Sequence, residues 1–478
     1  MLFNSIEFLL FFPVVTTIYF LLPHKFRWVL LLIASCFFYM SWIPKYILVL
    51  FLIIAIDYVA AQKIEASQGL KRKVFLLVSI IANLGVLSVF KYYNFFCENI
   101  TAIAQAMGIS YVAPILNLIL PIGLSFHTFQ ALAYTIEVYK GKQKSEKHLG
   151  IYALYVMFYP QLVAGPIERP QHLLPQLKEE HPFNYDNVLM GLQLMLWGFF
   201  KKVVVADRLA PLVNQVYGQP AHYAGCPLIL ATYCFAIQIF CDFSGYSDIA
   251  IGAAQVMGIR LMNNFNCPYA AKSIREFWQR WHISLSTWFR DYVYIPLGGN
   301  RAPWWRVAMN ILIVFLLSGL WHGANWTFVF WGLLHGLYLL AFLWFCQLLD
   351  VFSFEANEKW QKVINALGIF ITFNAVTFAW ILFRANSLAD AYWIAGHLFP
   401  ASGFAKVWTL GLSRAELLVA ALSVIILEVI QFAQRHTAVR KLVSEWPISI
   451  RWPVYYLAIF AVLLFGKFGS QRFIYFQF

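Results

Sequence analysis

FLLSGLWHGANWTFVFWGLLHG, residues 315–336, reads as lipid-facing or core helix, yet it carries His322 near its middle. An ionisable side chain in such a run costs free energy unless it has a partner, a water-filled cavity or a chemical task. The rest of the chain decides what surrounds it. Of 478 residues, 61% are hydrophobic and 12% charged, where a soluble domain carries roughly 25% charged residues. A soluble fold of this size cannot hide so much apolar surface, so the chain is an all-α, polytopic membrane protein. Apolar windows recur near 8–22, 28–44, 46–61, 74–96, 114–138, 151–166, 188–206, 226–241, 307–321, 326–349, 364–383, 417–432 and 452–466. Several fall short of the roughly 20 residues a span needs, which predicts about 9 to 12 true crossings. Window 151–166 is expected to be re-entrant or buried in protein.

The formal charge of +13 does not mark a nucleic-acid binder, because the basic residues sit in short loops. Lys25 and Arg27, then Lys63, Lys71, Arg72 and Lys73, then Lys140, Lys142, Lys144 and Lys147 follow the first, third and fifth windows. Basic loops stay cytoplasmic. That places the N-terminus outside the cytoplasm, and Arg435, Arg440, Lys441 and Arg451 before the last window place the C-terminus there too. The first window has no basic leader and no cleavage site, so it is expected to stay as a span. The seven cysteines stand singly, without a CxxC pair, and read as buried apolar residues.

Residues 1–113 read as four scaffold spans with few internal polar residues. Glycines, prolines, histidines and charges interrupt the apolar runs between 114 and 336, which makes that stretch the expected catalytic centre. Residues 337–478 add further spans and an extracytoplasmic tail. Within the centre, His127, Gln130 and Glu137 sit in LPIGLSFHTFQALAYTIEVY (120–139) and are expected to bond a neighbouring helix. Glu168 and Arg169 lie in the proline-rich FYPQLVAGPIERPQ (158–171), a rigid boundary turn or a collar for substrate. In CDFSGYSDIAIG (241–252), Asp242 and Tyr246 share a helix face and form part of a polar wall. Two carboxylates without a histidine make a weak metal site, and none is expected.

SIREFWQRWHISLSTWFRDYVYIPLGGNR (273–301) is the densest polar segment. Read as one helix, it repeats Arg275, His282 and Phe289 at seven-residue spacing and allows a Glu276–Arg280 ion pair. Its tryptophans and tyrosines suit the headgroup level of a membrane. His335 reads as a cap or bridge at a helix end. His322 is flanked by Gly319 and Gly323, which leave room for substrate or another backbone to approach the imidazole. Neutral histidine suits general-base work, while a structural core histidine is the alternative. These residues point to a membrane enzyme, with a transporter or channel as the competing class; a transporter would show two-fold internal similarity, which the sequence lacks.

Four stretches, YPQLVAGPIERP (159–170), FCDFSGYSDIAIG (240–252), FWQRWHISLSTWFRDYVYIPLGGNR (277–301) and LSGLWHGANWTFVFWGLLHG (317–336), together with RFIYFQF (472–478), give the chain a further reading. It resembles the membrane-bound O-acyltransferases, in particular their bacterial polysaccharide O-acetyltransferase branch. The resemblance extends over almost the whole chain and implies one acyltransferase domain, 1–478, with helices around a central funnel. It implies acetyl transfer from a cytoplasmic thioester, acetyl-CoA or an acyl carrier, with no permanently bound cofactor. The acceptor would be an extracytoplasmic polysaccharide such as alginate, reached through a secreted or periplasmic acetyltransferase partner at a bacterial inner membrane. Peptidoglycan or D-alanyl transfer by the same fold is the alternative. His322 matches the family's catalytic histidine and His282 its second histidine. Arg280, Trp281, Trp321 and Asn325 would bind the donor, and Tyr475 matches the position of a tyrosine acyl relay. Acyl transfer to a hydroxyl needs a base and donors for the oxyanion, which fits these residue types.

Overall fold

In the computed structural model, every residue is described except 164, 352–356, 400–402, 404–406, 408, 409, 436, 438, 470–472 and 475–478, with backbone only at 349–351. Helices occupy the apolar runs and stop where the sequence supplies caps and prolines. Helix α1 (Ile6–Leu21) starts on Ser5, whose hydroxyl accepts the Phe8 N–H, and stops short of Pro23. It is followed by α2 (His24–Met40), α3 (Ile47–Ala66), α4 (Gly69–Leu87) and α5 (Tyr93–Ala106), the last two joined by a π turn at Ser88–Tyr92. The centre contributes α6 (Leu124–Tyr139), α7 (Leu149–Met157), α8 (Tyr159–Leu162), α9 (Pro170–Lys178), α10 (Tyr185–Phe199), α11 (Asp207–Gly218) and α12 (Cys226–Val256). Short α13 (Ile274–Arg280) and α14 (Ile283–Phe289) precede α15 (Trp304–His322) and α16 (Trp326–Val351). The remainder is α17 (Glu358–Arg384), α18 (Leu388–Gly396), α19 (Arg414–Gln434), α20 (Val439–Glu445) and α21 (Ile448–Phe465).

Among the described residues no strand occurs, and nine helices are long and apolar enough to cross a membrane, with α1 apolar but shorter. That is the low end of the sequence expectation. The most apolar window of α12 is 67% buried and that of α21 only 6%, so α12 is an interior helix and α21 presents its Leu, Ile and Phe side chains to lipid.

The chain packs as two compact units, residues 1–195 with 249–262, and residues 196–248 with 263–478. In the first, α3, α4 and α6 meet around a fully buried carboxyl that the sequence reading passed over. Asp57 accepts hydrogen bonds from Ser79 Oγ at 2.6 Å and Asn83 Nδ2 at 2.8 Å, and Ser79 also bonds Thr135 at 3.0 Å. A buried acid has to be satisfied locally, so the scaffold spans are less plain than their composition suggests. Window 151–166 is not a span: it forms α7 and α8, and its described residues are all buried. The break before Pro160 leaves backbone groups that protein satisfies, as membrane depth demands. Ser35 Oγ accepts the Tyr159 N–H at 3.0 Å, and the Gln130 and Gln161 amides both donate to the Tyr155 carbonyl.

Gln130 and Glu137 thus bond neighbouring elements as expected, Glu137 through Gln171 at 2.7 Å. His127 is buried, with no hydrogen-bond partner for its ring nitrogens among the described residues. Glu168 is buried and accepts the Met262 N–H at 2.5 Å, while His172 Nδ1 lies 2.7 Å from its other oxygen. The basic loops of this unit meet at one end. Arg72 donates to the Tyr139 carbonyl, Lys147 pairs with Glu65, Lys178 pairs with Glu146, and Arg27 donates to the His181 carbonyl.

Candidate active site

The predicted residues of the site fall in the second unit, and the first fact about them is that segment 273–301 is not one helix. α13 opens on Ser273, whose hydroxyl accepts the Glu276 N–H, and ends at Arg280. His282 then takes a left-handed backbone, φ 43°, and α14 begins at Ile283. A non-glycine residue held there is uncommon, and such conformations persist where surrounding structure enforces them. Asn264 does so here: its carbonyl accepts the Ile283 N–H at 3.0 Å, its side-chain oxygen accepts the Ser284 N–H at 3.2 Å, and its amide donates to Ser247 at 3.3 Å. The seven-residue repeat therefore does not describe one face. Trp281, Trp288 and Phe289 are buried in protein instead of lying at headgroup level. The Glu276–Arg280 pair forms as expected, at 2.5 Å.

His322 is the last residue of α15, and a tight turn leads into α16. The flanking glycines serve that packing. A Cβ on Gly319 would lie 2.3 Å from the Phe328 carbonyl oxygen, one on Gly332 2.2 Å from the Phe315 carbonyl oxygen, and one on Gly323 2.2 Å from the Phe328 ring. Of the two sequence alternatives, close approach of another backbone accounts for Gly319, and Gly323 faces an aromatic ring.

The result is a row of buried imidazoles among aromatic rings. His322 is 3% exposed and His282 fully buried, and their ring centres are 6.4 Å apart. Trp321 lies 5.0 Å from His322 and 5.8 Å from His282, while Phe243 meets His282 edge-on at 4.6 Å. Trp331 lies 4.9 Å from both His322 and His335. His335 is not a helix cap: it is fully buried within α16, boxed by Phe277, Trp278, Phe315 and Trp380, and its ring nitrogens have no hydrogen-bond partner among the described residues. Sequence reasoning missed Asn264, which lies in a loop with no periodic cue. The four-residue spacing of Trp331 and His335 is visible in the sequence, but it points to a helix end for His335 and not to the ring that Trp331 places between the two histidines.

A cavity of about 650 Å³ adjoins this row. Ser318, one helical turn before His322, lines it together with Trp278, Gln279, Ser286, Arg275 and Arg290. Arg280 is held by Glu276 and is not among the lining residues. Trp281 packs against Phe277 and Trp380. Asn325 is exposed in the α15–α16 turn, where its side-chain oxygen accepts the Thr327 N–H at 2.9 Å. Of the predicted donor residues, only Trp321 touches both histidines in this arrangement. Tyr475 lies outside the described residues.

Asp242 and Tyr246 do share a buried face of α12. Asp242 lies 2.6 Å from Lys202, which also meets Asp207 at 2.8 Å, and Lys201 pairs with Asp248 at 2.7 Å.

The profile of the membrane-bound O-acyltransferase family matches residues 147–385. A probable alginate O-acetylase of Pseudomonas aeruginosa is 37% identical over 422 residues, covering 87% of this chain and 78% of that protein. A peptidoglycan O-acetyltransferase of Helicobacter pylori is 37% identical over 388 residues, 76% of this chain and 71% of that one. A teichoic acid D-alanyltransferase of Bacillus subtilis is 27% identical over 313 residues, 61% and 78% respectively.

Proposed function

The chain belongs to the membrane-bound O-acyltransferase family, and from that premise we propose that this multi-pass acyltransferase moves acetyl from a cytoplasmic thioester toward an extracytoplasmic polysaccharide. Family membership sets the transporter reading aside. Acetyl is favoured over D-alanyl because identity is 37% to the alginate and peptidoglycan acetyltransferases and 27% to the D-alanyltransferase. The two acetylating relatives share one chemistry, an ester on a sugar hydroxyl, and alginate or a similar exopolysaccharide is the acceptor in this reading, with peptidoglycan second. Handing the acetyl on to a polymer falls to a partner acetyltransferase on the outer side.

The observation that carries the mechanism is the pairing of His322 with His282 one helical turn from a cavity bearing two arginines. His322 takes the proton of the acceptor hydroxyl as its oxygen attacks the thioester carbonyl. The carbon–sulfur bond then breaks, and the thiolate leaves with that proton restored to it. His282 and the Trp321 indole side orient the carbonyl and bear the charge that develops on its oxygen. Arg275 and Arg290 suit the phosphates that coenzyme A and a carrier's phosphopantetheine both bear, so the donor side gains two residues and Arg280 becomes a brace for α13. Tyr475 serves as the acyl relay, a phenolate being a better leaving group than an alkoxide. The cluster of basic loops at one end of the first unit favours a cytoplasmic location for that end, and this reading keeps both termini outside, in a bacterial inner membrane.

Membranes carrying the protein, supplied with isotopically labelled acetyl-CoA or acetyl-carrier thioester and analysed by mass spectrometry of the peptide containing Tyr475, test the scheme. Label should appear on that tyrosine in the parent and be absent in His322→Ala. Label transfer to polymer that persists in His322→Ala rules out the base, and transfer that persists in Tyr475→Phe rules out the relay.

A further inference from the structure

The CDFSGYSDIAIG motif has no part in the chemistry above, and neither do Lys201 and Lys202. Two adjacent lysines lie in a π turn, Phe200–Ala206, between α10 and α11. Such turns recur at functional positions because they offset a helix by one residue and re-aim its side chains. Here the turn lies against α12, since a Cβ on Gly245 would fall 2.8 Å from the Gly198 carbonyl oxygen and 3.1 Å from the Lys202 nitrogen. Both lysines are buried, and each has its own carboxylate on α12: Lys201 bonds Asp248 and Ser244, and Lys202 bonds Asp242 together with Asp207. Ions at this depth are expensive and are kept where they have a task.

The task is visible at the second oxygen of Asp242. It accepts the backbone N–H of Ile474 at 2.8 Å, from a residue 232 positions away. The preceding side chain, Phe473, stacks on Tyr246 at 4.6 Å and packs on Phe243 at 5.9 Å. Phe243 is the ring that meets His282 edge-on. Phe473 and Ile474 are 1% and 3% exposed, so they are fully seated. The end of α21 is tied to the same region: the Lys467 N–H donates to the Val203 carbonyl of the π turn, and Arg208 of α11 donates to the Phe465 carbonyl.

We infer that the Lys202–Asp242 pair is a built seat for the segment that follows α21, holding Phe473 and Ile474 against the His282 wall, and that Asp242 is a positioning residue for acyl transfer. The Lys202 ammonium lies 2.6 Å from Asp242 Oδ1, and a hydrogen bond to an acceptor held in an ion pair is stronger than one to a neutral group. Asp242 Oδ1 faces the ammonium and Oδ2 faces the Ile474 N–H, so one carboxylate links the ion cluster to Ile474. The functional half of this inference rests on the relay proposed above; the seat itself does not.

Hydrogen–deuterium exchange of the full chain in detergent, read on the amides of 467–474 and on the rest of the protein, is measured beside acyl transfer for three variants. Ile474→Pro is decisive, because it deletes the backbone N–H that Asp242 Oδ2 accepts and leaves every ion in place. Losing a hydrogen bond to a charged acceptor shifts a local equilibrium by roughly ten- to hundredfold. Ile474→Pro and Asp242→Ala should therefore speed exchange in 467–474 by that factor, with the rest of the chain unchanged in Ile474→Pro, and cut acyl transfer. Asp242→Asn, which retains an oxygen to accept the N–H, should fall between them and the parent. Unchanged exchange in Ile474→Pro overturns the seat. Faster exchange with undiminished transfer leaves the seat standing and overturns the positioning role, while the relay is decided separately by Tyr475→Phe. Should Asp242→Ala fail to fold with its lysine stripped of a partner, Ile474→Pro decides alone.

Discussion

Gly319→Ala tests whether the α15–α16 contact, and not only the imidazole, sets the activity. The added Cβ would lie 2.3 Å from the Phe328 carbonyl oxygen, and ordinary contact begins at 3.4 Å. The obstacle is backbone, with no side chain to swing aside, so the two helices have to part by about 1 Å, a displacement that at reacting groups costs on the order of 100-fold in rate. The overpacking itself costs about 1–3 kcal/mol. Gly319 precedes His322 by one helical turn, and the same contact recurs at Gly332, so the strain falls on the segment that aims the histidine. The variant should enter the membrane, melt at a lower temperature in detergent than the parent, and transfer labelled acetyl about 100-fold more slowly. Gly85→Ala is the control, since nothing lies within 4 Å of its Cβ; alanine should be neutral or stabilise α4 by about 0.5–1 kcal/mol. Transfer at the parental rate in Gly319→Ala would falsify the argument that this helix contact positions His322.

His322→Ala should lower acyl transfer by about 10²- to 10⁴-fold, the contribution of a positioned base, with protein recovered from membranes at the parental level; initial rates with labelled donor read it. His282→Gly and His282→Ala should both lose transfer, but the glycine variant should be the more stable by about 1–2 kcal/mol in thermal melts because the backbone there is left-handed; equal melting temperatures would deny that the turn is strained. Asp57→Ala removes the acceptor that Ser79 and Asn83 share; with Ser79 still bonded to Thr135 and Asn83 to the Ser79 carbonyl, the loss should be about 1–3 kcal/mol in all, lowering melting temperature without changing transfer per folded molecule. The Glu168 carboxylate beside His172 raises the imidazole above its ordinary 6.5. A raised folded value means the contact stabilises fully below 6.5 and is lost as pH rises through that elevated value, so the parent should lose stability over this interval and His172→Gln should not; parallel pH profiles for the two proteins would refute the assignment.

The membrane spans were legible because lipid imposes its cost residue by residue: an apolar run of sufficient length announces itself whatever it packs against. Among the described residues, nine helices long and apolar enough to span and the buried short window at 151–166 follow from that rule. What the rule cannot see is an acid such as Asp57, which a single hydrophobicity average absorbs, although its partners lie 22 and 26 positions away. The same limit governed the dense segment 273–301. Its charges and aromatics satisfy a helical repeat on paper, and the break at His282 depends on Asn264, a residue with no pattern of its own.

The histidines were legible as anomalies, and the two glycines beside His322 as a close approach, but which backbone approaches is a property of the pair α15 and α16. The motif CDFSGYSDIAIG carries this furthest. It offers two carboxylates six residues apart, chemically alike in the sequence, yet each meets a different lysine of one π turn and only Asp242 has its second oxygen turned to the Ile474 N–H. A π turn is a one-residue offset that no hydrophobic period records, and it decides which lysine faces which acid. Exchanging the assignments therefore gives opposite expectations for two substitutions that the sequence treats as equivalent. Asp248→Asn should leave exchange of the 467–474 amides at the parental rate, because Asp248 pairs with Lys201 while the Ile474 N–H goes to Asp242, whereas Asp242→Asn should speed it. Equal effects of the two, measured in the same detergent, would mean that the segment is held by the general charge of the cluster and not by one carboxylate.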